Sequence, residues 1–124
     1  MNCCNCCDKD DEPTIIDGHE YIDLGLPSGK KWASRNIGAE VETDFGDYFA
    51  WGETTGYDIT GTGRTGGGFT WQNYVLGDGN NPPSSFEKYN STDNKTVLDS
   101  ADDAAKINWG GDWRMPTAED FIEL

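Results

Sequence analysis

Asp102–Leu124, DDAAKINWGGDWRMPTAEDFIEL, is the stretch whose reading decides the fold, because it carries two helix starts and a glycine stop. Ser100 is placed to act as an N-cap, with Asp103 three positions on. Ala104, Ala105 and Ile107 then favour a short helix that Gly110-Gly111 ends. Asp102 and Asp103 fall in its first turn, where the helix dipole favours acids. The pattern repeats at Thr117, with Asp120 completing a capping box and Phe121 and Leu124 recurring at i, i+3. This second helix has barely two turns and cannot stand alone. Its apolar side needs cover from the earlier chain, from a partner or from a continuation.

Upstream, HEYIDLGLPSGKKWASRNIG gives two candidate strands, Tyr21–Leu24 and Lys31–Ser34, about the turn former Pro27-Ser28-Gly29. A third candidate is DYFAWGE, where Tyr48, Phe49 and Trp51 suit a pleated, partly buried surface. Residues 54–83 read as a surface loop, since eight of the thirty are Gly and TGTGRTGGG has no apolar period. That run lacks the Lys-Ser/Thr ending of a phosphate loop. FTWQNY, Phe69 to Tyr74, is aromatic enough to dock back on the core.

With 124 residues the chain holds one domain at most, and only 35% of it is hydrophobic. Five Trp, five Tyr and five Phe must supply most of the packing, since each ring buries a large area. The net charge of −14 opposes binding to nucleic acid and to anionic lipid heads. Removing residues 8–12 still leaves 8 basic against 19 acidic side chains, so the acidity belongs to the body. No apolar run is long enough to span a membrane.

All four cysteines lie in CCNCC, at Cys3, Cys4, Cys6 and Cys7, so the body is not disulfide-stapled. Two overlapping C-x-x-C spacings could hold Zn²⁺ or Cu(I), but no His or distant Cys pair completes a closed site, and no metal site is expected there. Residues 1–17 read as a flexible tether. Its C-D-K-D-D-E-P run resembles the mature start of bacterial lipoproteins, in which Cys7 would be lipidated and Lys9-Asp10-Asp11 would accompany export to the cell exterior. That reading places the protein at the cell surface or outside the cell and requires a signal peptide ahead of Met1; the alternative is a plain disordered leader.

Taken in order, HEYIDLGLPSGKKWA, FGDYFAWGET, DNKTVLD, DDAAKINWGGDWRMPT and AEDFIEL resemble the Fibrobacter succinogenes major paralogous domain, a family of secreted bacterial repeats. The likeness runs from about His19 to Leu124, interrupted by the glycine-rich loop. The family is related to the formylglycine-generating sulfatase-activating fold, whose R-L-P-T-E-A-E-W-E stretch corresponds to Arg114-Met115-Pro116-Thr117 and the helix after it. The resemblance implies an α+β, C-type-lectin-like domain over residues 18–124, loop-rich, with short antiparallel strands and two short helices. It also implies that Arg114 is a packed, paired residue. Family members continue past this helix into further strands, so the expectation is an incomplete, N-terminal part of a larger domain that self-associates through its C-terminal helix.

Three classes of function follow. Catalysis has little to build on: His19 is the sole histidine, and the body has no thiol to match the copper-binding cysteines of formylglycine-generating enzymes. A non-catalytic binding module for glycan or protein fits better, with Tyr57, Trp71, Tyr74 and Trp109 as the ligand-stacking candidates and Trp32, Trp51 and Trp113 assigned to the core. The third class is a structural component of a larger surface assembly, recognisable by a broad exposed apolar patch. No cofactor is expected; Asp93, Asn94 and Asp99 could hold calcium but lack the D-x-D-x-D-G spacing.

Overall fold

The computed structural model describes residues 14–57 and 68–124. Cys7 and the rest of the cysteine run lie outside the described residues, as does 58–67 of the glycine-rich loop. The fold is α+β, a three-stranded antiparallel sheet with two short helices. Strand β1 is Ile15–Ile16, β2 is His19–Ile22 and β3 is Trp32–Ala33, in the order β1-β2-β3. Asp17 and Gly18 join β1 to β2 with φ of 48° and 81°, the left-handed pair of a two-residue type I′ hairpin. The sheet thus reaches back into the stretch read as tether. The β2–β3 hairpin forms about Pro27-Ser28-Gly29 as expected, but β2 has the expected length two residues earlier and β3 is two residues where four were expected.

The third expected strand is reduced to a single bridge, Tyr48 with Tyr57. Gly46 explains part of this. With φ 69° it bends the chain before Tyr48, and a Cβ there would overlap the Ile37 carbonyl oxygen.

Helix α1 spans Ala104–Trp109 and α2 spans Ala118–Glu123. Thr117 caps α2 in a full capping box with Asp120, as expected. The cap of α1 is Asp103 and not Ser100: the Asp103 side chain accepts from Lys106 N–H, while Ser100 opens a 3₁₀ turn, Ser100–Asp102. Ser100, four residues before Ala104, belongs to a separate turn, and the carboxylate adjacent to Ala104 does the capping. Gly110 ends α1 at φ 74°.

Among the described residues the buried apolar side chains are few: Tyr57, Tyr74, Leu76, Ala104 and Ala105. Polar contacts supply much of the tertiary linkage. Glu123 accepts from Ser28 N–H at 2.8 Å and from Ser28 Oγ–H at 2.6 Å, tying α2 to the β2–β3 turn. Trp113 Nε1–H donates to the Ile16 carbonyl at 3.0 Å, and His19 stacks on Trp109 at 4.1 Å, fixing the sheet to the end of α1.

Candidate functional site

An apolar cleft of about 700 Å³ opens between the sheet and the C-terminal segment. One wall is β3 with the strip that follows it to Ile37. The second is Phe45 to Phe49, and the third is Asp112 to Pro116 with Phe121 of α2. Phe121 reaches Trp32 across it, with ring centroids 5.6 Å apart. This contact covers little, for Phe121 stays 60% exposed and Phe45 72%. Beside the cleft, Ile122 and Leu124 are exposed as well. The apolar side of α2 is therefore largely bare, and the earlier described chain does not supply the cover that so short a helix needs.

Asp120 holds the cleft's polar corner. It is buried, and it accepts from Arg114 through both Nη atoms, at 2.6 and 3.1 Å, from Lys30 Nζ at 2.8 Å and from the Thr117 N–H and hydroxyl. Arg114, then Lys30, then Thr117 hold this carboxyl far below the usual carboxylate range. Arg114 is paired, as the resemblance implied. Met115, next in the loop, donates its N–H to both oxygens of buried Asp103, so a single carboxylate caps α1 and pins the cleft wall.

Charge is divided unevenly over the molecule. The described residues carry seven basic and eighteen acidic side chains. Lys30, Lys31, Arg35 and Arg114 line the cleft against Asp47, Asp112 and Asp120. Outside it, three basic groups face fifteen acids. The cleft is the near-neutral face of an acidic molecule, and its cations are held in place: Lys31 pairs with Asp23 and Arg35 with Glu20.

The four aromatics expected to stack on a ligand do not form one site. Tyr57, Trp71 and Tyr74 meet around Phe69, edge to face, with Phe69–Trp71 centroids at 5.2 Å and Phe69–Tyr74 at 5.8 Å. FTWQNY thus docks as expected, but two of the ligand-stacking candidates are buried, Tyr57 at 4% exposed and Tyr74 at 8%. The cause is polar. Buried Glu53 accepts from Tyr57 Oη–H at 3.0 Å and from Val75 N–H at 3.1 Å, and Tyr74 Oη–H donates to the Trp51 carbonyl at 2.6 Å. Burial, then the Glu53 charge, pushes the Tyr74 hydroxyl up. Trp71 is the accessible ring of the three, 41% exposed. Trp109 lies elsewhere, between His19 and Trp113, on the cleft wall.

Among the core assignments, Trp32 and Trp113 are half-buried, while Trp51 is 47% exposed and corrects its assignment to the core. Its ring meets Tyr89 edge to face, and it lines a smaller pocket of about 240 Å³ with Val97, Leu98 and Lys106. The acids near residue 93 are engaged within the chain. Asp93 accepts N–H groups from Tyr89, Asn90 and Lys95, and Asp99 pairs with Lys95 at 2.7 Å. Among the described residues no group of three or more His, Cys, Asp or Glu is placed to hold a metal ion.

The cleft is the feature that residue-by-residue reading missed. Its signal was present in the sequence as Phe45, an apolar residue outside any amphipathic pattern, and as Phe121, on a helix face that needed cover. Neither protein-family models, nor curated proteins, nor solved structures compared with this chain give a match. Among the described residues no helix is long and apolar enough to cross a membrane.

Proposed function

We propose that this chain is a non-catalytic binding module of the cell envelope or extracellular space, with polypeptide as the ligand of its apolar cleft. The observation that carries the reading is the open cleft itself, an apolar concavity of about 700 Å³ with large side chains left bare at its rim. Contiguous exposed apolar surface of this kind marks interaction sites. The buried carboxylates Glu53, Asp103 and Asp120 all serve as acceptors for the chain's own donors, and His19 is stacked on Trp109, which supports a binding role over catalysis. The finer fold assignment, C-type-lectin-like and akin to the Fibrobacter succinogenes major paralogous domain, rests on the ordered motifs of the sequence, and the cell-surface setting on the C-D-K-D-D-E-P run. The companion reading, a structural component of a larger surface assembly, draws on the same cleft and differs only in whether the covering polypeptide is permanent.

A glycan reading has one observation of its own, the exposed ring of Trp71. Parallel peptide and glycan arrays separate the two. The cleft reading expects capture by extended, apolar, uncharged peptides, weakened about tenfold by Phe45→Glu and untouched by Trp71→Ala, the size of effect set by one lost aromatic contact. Glycan capture abolished by Trp71→Ala, with no peptide capture, contradicts it.

A further inference from the structure

Among the described residues the cleft runs along an unpaired sheet edge. Strand β3 is bonded to β2 on one side, in the register Tyr21 with Ala33 and Ile22 with Trp32. Ser34 N–H donates to the Glu20 carbonyl at 3.1 Å. In an antiparallel ladder the bonding residues alternate, so with Trp32 and Ser34 turned toward β2, the N–H and C=O of Ala33 turn away from it. Ala33 lines the cleft. An outward N–H and C=O pair beside an apolar concavity is a template for strand addition.

We propose that the β3 edge docks the β3 edge of a second copy of this chain across a two-fold axis, Ala33 N–H to the partner's Ala33 C=O and the reverse, joining two three-stranded sheets into one of six strands. This rests on the cleft being a polypeptide-binding surface and names its occupant. Charge selects a second copy. A chain of net charge −14 repels itself wherever acids dominate, and the described residues outside the cleft carry three basic groups against fifteen acids. Among the described residues the cleft, where four cations meet three lining carboxylates and two of those fifteen acids, Asp23 and Glu20, at their side, is where two copies repel least. A two-fold contact also places the same apolar rim on both sides, so each Phe45 is covered by the other copy.

The test is light scattering of the full chain over a concentration series, at low and high salt, with the binding of an anilinonaphthalene dye measured on the same samples. The proposal expects a monomer–dimer equilibrium that salt strengthens by screening the acidic surfaces. Ala33→Pro removes the outward N–H without touching a β2 bond and is expected to raise the dimer dissociation constant about tenfold or more. Phe45→Glu, a substitution at an exposed residue, is expected to do the same and stands independently if the proline variant folds poorly. A wild type that stays monomeric while the dye binds the cleft overturns the second-copy proposal and leaves the cleft reading standing. A monomer that binds no dye overturns both. A dimer indifferent to both variants and broken by Ile122→Glu moves the contact to α2 and overturns the strand-edge assignment.

Discussion

Asp120 shows how a molecule with a small core holds its parts together. Arg114, Lys30 and Thr117 all donate to this one buried carboxylate, so the loop wall of the cleft, the end of the β2–β3 turn and the start of α2 meet at a single residue. Its pKa lies below the unfolded value, near 3.9 for an aspartate. The stabilisation is therefore fully present above that pH and is lost as pH falls below it toward the folded value. Asp120→Ala should cost about 2 kcal/mol at neutral pH, less than for a wholly buried pair because the two cations are nearly half exposed and can resolvate. Denaturant melts of Asp120→Asn and wild type across pH should show a gap that is widest at neutral pH and closes below about pH 4. A gap independent of pH would remove the charge pairing from the explanation. Gly46 is the backbone counterpart. At φ 69° and against the Ile37 carbonyl, Gly46→Ala should lose about 2 kcal/mol, read as a lowered melting temperature.

Among the elements, α1 depends on Asp103 twice. The carboxylate caps the helix at Lys106 and satisfies Met115 N–H, so Asp103→Ala should cost the cap, about 1 kcal/mol, and orphan a second donor for about 1–2 kcal/mol more. Ser100→Ala should be nearly neutral, because Ser100 is not the cap. Equal losses in the two variants would return the cap to Ser100. The capping logic was legible in the sequence, and for α2 it gave Thr117 and Asp120 correctly, since no other capping residue stands between Asp112 and the helix. At α1 a row of acids offered several registers, and local pattern alone could not choose Asp103 over Ser100. Strand β1 was legible too. Asp17-Gly18 flanked by Ile-Ile and His-Glu is a two-residue hairpin signal, masked by its position beside a charged tail. The DYFAWGE strand failed for the opposite reason. Its aromatics favour a pleated surface, but Gly46 and the Tyr48–Tyr57 bridge turn the chain back before a ladder can form.

At the scale of the whole molecule the aromatics divide into an inward set and an outward set, and their identity gives little warning of which is which. Tyr57 and Tyr74 are drawn inside because their hydroxyls find Glu53 and the Trp51 carbonyl, partners 4 and 23 residues away that periodicity does not report. Phe45 and Phe121 have no polar handle and still lie bare, since the cleft they line has nothing in the described residues to fill it, and Ile122 lies bare beside it. The site was thus legible as a need for cover at the last helix and not as a place in space. Five tryptophans allow the central claim, that the cleft is the ligand-binding face, to be read directly from their indole N–H resonances. Trp32, Trp109 and Trp113 line the cleft, whereas Trp51 and Trp71 do not. In nuclear magnetic resonance titrations of the ¹⁵N-labelled chain with an uncharged extended peptide rich in Val and Thr, and separately with oligosaccharides, the account predicts that the peptide shifts Trp32, Trp109 and Trp113 and leaves Trp71 in place. Silent cleft indoles, with Trp71 alone moved by a sugar, would contradict it.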